Sequence, residues 1–271
     1  MSKPPLRPRL REQHADAAVD TPAPDALRQR VLHRLACQRA LFDPELEPRN
    51  RDPRLPELQR WQMRRLAASF QQLLDDPASR PAAEFFLSDL YGDHDFSGRD
   101  RDAARILPKM THILPAHMIA TAGDAIALSA LSHAFDLRMA AALSRVLPTS
   151  QSIDATSYAD AYRSVGHRRL RREQIALISR IGSALGAAVH KPALWRLLRM
   201  SRLPARLAGL SALQSFLERG FGAFRVLGDA DAFVSRIVAQ EAEISLRLFA
   251  CVREPFAPVP VIKPRPAQRT R

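Results

Sequence analysis

The sequence predicts an all-α protein, a single-domain multi-helix bundle around one long buried central helix, with disordered termini. Three observations carry this reading. Apolar residues recur at three- and four-residue spacing through most of the chain, no useful stretch alternates as a strand does, and the run from Ala116 to Leu147 is apolar on every side. With 271 residues, 46% of them hydrophobic, the chain is large enough for a real core, and about eight to ten helices fit it.

Taken in order, residues 1–26 are rich in Pro, Arg and Asp and lack periodicity, as a disordered arm does. Ala26 to Phe42 reads as a helix with Leu27, Val31 and Leu35 at helical spacing. From Asp43 to Pro56 the repeated prolines remove donors and restrict their neighbours, which predicts a linker or extended strap. Glu57 to Asp75 returns to a helix that offers Leu58, Trp61, Leu66, Phe70 and Leu73 for burial. Glu84 to Tyr91 reads as two helical turns, with Phe85 above Asp89 and Phe86 above Leu90, closed by Gly92.

Ser97 with Asp100 forms a capping-box variant, and the helix it starts runs into Pro108. The central helix begins just after Pro115, where proline is tolerated. Ser157 with Asp160 is a second capping-box variant. Arg168 to His190 is the next long helix, and its Gly182 and Gly186 let another backbone approach closely. A short helix from Ala193 to Met200, another opening at Leu203-Pro204, and a last one capped by Asp229 or Asp231 complete a helical domain of residues 27–254. Residues 255–271 hold five prolines and form a loose tail.

Composition excludes several classes. Only Cys37 and Cys251 occur, without CxxC or Cys/His metal spacing, so neither a disulfide framework nor a zinc finger is indicated, and a reducing cytoplasm fits. No window reaches the roughly 18 uncharged apolar residues of a membrane span, so no transmembrane segment is expected. No GxGxxG, Walker, GxSxG or HExxH sequence is present, which removes the commonest nucleotide and hydrolase signatures. The formal charge of +13 comes from 37 Arg and 4 Lys, and residues 163–206 alone carry 11 basic and 1 acidic residues. That segment is where nucleic acid or an anionic surface would bind, with Arg168, Arg169, Arg171 and Arg172 as the candidate anion-binding residues. Cations at a helix start oppose its dipole and ask for an anionic partner, either outside or in the acidic 84–102 region.

The central helix carries His117, Asp124, His133 and Asp136, and a buried ionisable group costs several kcal/mol unless it is paired. His133 and Asp136, one turn apart, can face one space, as a weak metal pair or a histidine oriented by a carboxylate. A di-iron bundle needs Glu-x-x-His on two helices, and only one His-x-x-Asp occurs. The candidate pocket therefore gathers Asp89, Tyr91, His94, Asp95, Asp124, His133 and Asp136 beside the central helix. The bland alternative ties Asp124, His133 and Asp136 to arginines, tyrosines or loop amides.

Phe85-Phe-Leu-Ser-Asp-Leu-Tyr-Gly92, with Asp95-Phe96, Arg99-Asp100 and Leu131-Ser-His133-Ala-Phe-Asp136, resembles an uncharacterised family of helical proteobacterial proteins with an FFLxDLYG-like motif. The resemblance covers about Glu57 to Glu254. It implies one helical bacterial domain and carries over no activity, cofactor or catalytic residue. The favoured expectation is a regulatory protein binding a protein partner or small ligand in a polar pocket. A metal- or cofactor-dependent helical enzyme and a nucleic-acid-associated protein are the alternatives.

Overall fold

The computed structural model describes residues 24–90, 97–148 and 150–257. The described residues form twelve α-helices and no strand, more helices than expected because two segments divide. They are α1 (Pro24–Phe42), α2 (Arg54–Ser69), α3 (Gln71–Asp75), α4 (Arg80–Phe85), α5 (Ser97–Met110), α6 (Ala116–Val146), α7 (Ala155–Val165), α8 (Arg168–Val189), α9 (Pro192–Met200), α10 (Arg202–Leu207), α11 (Ser211–Arg225) and α12 (Ala230–Phe249). The expected arm and most of the expected tail, residues 1–23 and 258–271, lie outside the described residues.

α6 is the axis. α1, α2, α7 and α8 all pack on it, and α12 crosses α8. Two apolar cores result. One gathers Leu66, Phe70, Phe85, Phe86, Phe224, Phe233 and Ile237 among α2, α4, α11 and α12. The other gathers Leu58, Leu137, Leu143, Tyr158, Tyr162 and Leu248 around the C-terminal half of α6. By length and composition α6 would also suffice to cross a membrane, although its charges argued against a span. Its burial is uneven: Ile119 and Gly123 are its buried residues before His133, while Phe135, Leu137, Met139, Ala140, Ala142 and Leu143 follow. Apolar burial is concentrated in the second half, yet Arg138, Ser144, Arg145 and Val146 are exposed there, so the expectation of a helix buried all round is not met, and His117 is exposed rather than partnered in a core.

Several local expectations are corrected. The strap from Asp43 contains a 3-10 turn at Pro48–Arg51, and α2 already starts at Arg54, with Pro56 in its first turn, where no intrahelical donor is needed. Buried Arg54 then holds the connection after α6, donating to the carbonyl of Gln151 at 2.8 Å and to Glu57 at 2.6 Å. Phe86–Leu90 is a π-helical turn instead of a continuation of α4, so the expected i,i+4 stacking is lost there. α5 runs through Pro108 to Met110. The box at α7 uses Asp154 as cap and Ser157 at N3, one turn earlier than expected, and Asp229 caps α12 by accepting from Ala232 N at 2.8 Å.

The glycine pair on α8 meets α12. A Cβ on Gly182 would lie 2.5 Å from Val234 Cγ2, and one on Gly186 would lie 3.0 Å from the Ala230 Cβ. Gly182→Ala must therefore separate the two helices or displace a β-branched side chain, and we expect a loss of about 1–3 kcal/mol in urea unfolding. Gly222 in α11 has open space around it, so Gly222→Ala is expected to leave stability unchanged or to raise it by up to about 1 kcal/mol. Equal effects at the two positions would contradict the close approach.

Candidate functional site

His133 and Asp136 share α6 but answer to different neighbours. Asn50, in the 3-10 turn after α1, donates its amide hydrogens to the carbonyls of Leu41 and Glu47, each at 2.9 Å. That fixes its oxygen towards His133 Nε2, 2.7 Å away, so Nε2 carries the proton. The imidazole also stacks on Phe42, with ring centroids 3.9 Å apart. Burial lowers its pKa to about 4, with Glu47 pulling weakly the other way. The tautomer is thus set by an amide oxygen and not, as expected, by a carboxylate.

Asp136 turns towards α2, where Gln62 donates to it at 3.1 Å. Burial raises its carboxyl pKa to about 6, against the opposing pull of Gln62, Arg171 and Gln59. Arg171, the third basic residue of the candidate anion cluster, is buried. Its guanidinium lies 3.6 Å from the Phe135 ring centroid and 4.2 Å from that of Tyr162, and Met139 Sδ is 3.2 Å from one terminal nitrogen. Its Nε has no hydrogen-bond partner. Two aromatic faces stand where a carboxylate would be expected. Tyr162 in turn bonds Ser245 on α12 at 2.8 Å.

Beside this group a second, half-buried cation is paired directly: Arg65 of α2 meets Glu241 of α12 in a two-pronged contact. Burial works to lower the Arg65 pKa, and Glu241 and Tyr158 outweigh it, holding the guanidinium above its ordinary value. Arg65, Glu241, Tyr158 and Tyr162 are not among the residues that the sequence pattern singles out. The signal available was the Tyr158/Tyr162 pair, four apart on a helix beginning at a cap.

The other candidate pocket residues do not join this centre. Asp89 pairs with Arg219 of α11 and accepts from Ser88. Asp124 pairs with Arg180 at 2.9 Å and Arg34 at 3.6 Å. Tyr91, His94 and Asp95 lie outside the described residues. Among the described residues no group of three or more His, Cys, Asp or Glu side chains is placed to hold a metal ion.

The basic segment does not form one surface either. Of the four candidate anion-binding residues, Arg168 donates to the Phe249 carbonyl at 3.3 Å and lies over its ring, Arg171 is internal, and Arg169 and Arg172 are exposed with no such contact among the described residues. Among the described residues of the acidic 84–102 region none pairs with them: Asp102 accepts from the amides of Ala212 and Leu213, and Asp100 pairs with Arg99. α8, with 22 residues, separates this cluster from the cations beyond Val189 by roughly 30 Å.

What the central helix does leave open is a trough of about 500 Å³ between α1, α6 and α8. Ala127, Ala130 and Ala134 line it with Leu41, Leu131 and Leu177, while Arg34, Cys37 and Glu173 stand among its remaining walls. It is largely apolar, where a polar pocket was expected.

The two perturbed groups give stability opposite pH dependences. His133 is depressed from 6.5, so its contribution is complete above about pH 6.5 and is lost as pH falls towards 4. Asp136 is raised from 3.8, so its contribution is present below about pH 4 and is lost as pH rises through 6. Asp136→Asn is expected to stabilise the protein by about 1–3 kcal/mol at pH 7.5 relative to pH 4, read as the urea midpoint against pH. The His133 ring is expected to show no NMR titration above pH 5. A midpoint near 6.5, or no pH-dependent difference in the Asn variant, would contradict the assignments.

No curated protein and no solved structure matches this chain. A family model matches residues 41–255, from the carbonyl that orients Asn50 through all of α12, and the chain belongs to that family, described as a domain of unknown function (DUF8198).

Proposed function

We propose that this protein is a non-covalent binding protein that takes a small apolar ligand in the trough beside the first half of α6. The observation that supports this is the uneven burial of that helix. Its buried residues cluster in the second half, while residues 127–134 present an alanine-lined floor between α1 and α8. A concave, mostly apolar site with few polar groups is the usual form of a small-molecule site. Alanines at 127, 130 and 134 keep the floor low, and the leucines at 41, 131 and 177 supply apolar contact. The buried polar groups, by contrast, are matched within the helix packing, His133 by Asn50 and Asp136 by Gln62. They are better read as the rigid frame on which the trough is carried.

The apolar dye 1-anilinonaphthalene-8-sulfonate is a direct probe. The full-length chain is expected to bind it saturably, one per chain, with enhanced fluorescence. Ala130→Trp, which fills the floor, is expected to weaken binding about tenfold or more. Ala120→Trp, on an exposed part of the same helix, is expected to leave binding intact. Absence of saturable binding, or the same loss at both positions with melting temperatures unchanged, would overturn the reading.

A further inference from the structure

We infer that the α9–α10 segment is a docking surface for an anionic phospholipid membrane, seated by exposed apolar side chains and held by exposed cations. Leu197 (64%), Met200 (76%), Leu203 (62%) and Leu207 (80%) are all largely open to solvent, and only Ser201 separates the two helices. Elsewhere among the described residues the most exposed large hydrophobics, such as Leu46, Ile113, Val146 and Leu246, are scattered along the chain. Scattered ones are ordinary on a soluble surface. Four gathered within residues 197–207 are not.

The exposure does not come from loose packing of these two helices. Gln214 of α11 donates to the Leu198 carbonyl at 2.6 Å, and Ser201 Oγ donates to the same oxygen at 2.8 Å. Arg202 grips both oxygens of Glu218, at 2.7 and 2.6 Å. Ala205 is buried, and Leu194, Trp195 and Leu198 are half-buried. The inner side of each short helix is therefore latched to α11, which leaves the four large apolar side chains outward.

Charge selects the occupant. No Asp or Glu occurs between Glu173 and Glu218, and Lys191, Arg196, Arg199 and Arg206 are exposed and make no ion pair among the described residues. Cations interleaved with Leu and Met, beside a Trp whose ring faces Arg225 at 5.2 Å, are the composition of an interfacial segment. Phosphate headgroups would take the cations, and the acyl boundary would take the leucines and the methionine. A nucleic-acid backbone would satisfy the cations alone and leave the apolar side chains in water.

Co-sedimentation of the full-length chain with vesicles of phosphatidylcholine, alone or with 30% phosphatidylglycerol, tests this. Retention is expected on the anionic vesicles, at least about fivefold weaker on the neutral ones, and reduced by 0.5 M NaCl. Met200→Glu with Leu203→Glu is expected to abolish retention, and Arg199→Gln with Arg206→Gln to weaken it about tenfold. All four positions are exposed, and an unchanged helical circular dichroism spectrum would show that the variants fold. Trp195 emission is expected to shift to shorter wavelength on the anionic vesicles, a shift lost in Trp195→Phe and kept in Trp61→Phe. Equal retention on both vesicle types, no retention on either, or retention that survives Met200→Glu with Leu203→Glu would overturn the proposal. So would self-association or duplex DNA binding that those substitutions abolish while vesicle retention is absent.

Discussion

A buried guanidinium with no carboxylate at ion-pair distance among the described residues lies where α6, α7 and α8 meet, and the helices around it are placed as that cation requires. Removing an arginine from water costs several kcal/mol, and Arg171 offsets this with two aromatic faces, a thioether sulfur and the field of Asp136 one layer away. Phe135 and Met139 come from α6, Tyr162 from α7, and Arg171 itself from α8. Those three helices cannot shift independently without uncovering the charge. Asp136 sits in a compromise: its burial favours the protonated acid, while Arg171 favours the carboxylate. The neighbouring Arg65–Glu241 pair shows the more familiar solution, in which two half-buried charges are matched by direct contact across α2 and α12.

The fold class was legible in the sequence because helical periodicity is local and the chain contains almost nothing else. The bounds of α6, α8 and α12 followed from Pro115, Lys191-Pro192 and Asp229 for the same reason. What escaped was set by contacts distant in sequence. Pro56 looked like a helix breaker, yet the first turn of α2 tolerates it, and Arg54 beside it is buried because the loop after α6 supplies carbonyls. The π turn at Phe86 could not be seen because Phe85, Phe86 and Leu87 are all buried, against partners on different sides. Gly182 and Gly186 were legible as a close-approach pair, but not the helix that would use them.

The candidate site was less legible than the fold. His133 and Asp136 were rightly picked out as groups needing partners, since ionisable side chains in an apolar helix must find them. Spacing alone suggested one shared partner, and the true answer was two unrelated ones, Asn50 and Gln62. Both are neutral amides, and no sequence pattern marks an amide as the solution to a buried charge. The trough was invisible for a different reason. It is made by alanines, whose small size matters only once α1 and α8 are in position. The charge excess of residues 163–206 was legible in amount but not in arrangement, since the length of α8 divides it between two ends of the protein.

The Asn50 turn also divides the chain in an unexpected way. The matched family region begins at Leu41, whose carbonyl takes one of Asn50's amide hydrogens, so nearly all of α1 precedes it. Yet α1 seats Val31 against Gly123 of α6 and contributes Leu41, Cys37 and Arg34 to the trough. The frame that holds Arg171 is thus drawn wholly from the matched region, whereas one wall of the trough is drawn mostly from outside it. Two chains sharing this frame can differ in that wall without disturbing the buried cation. In such a lineage the shape of the trough is free to drift while the surroundings of Arg171 stay fixed.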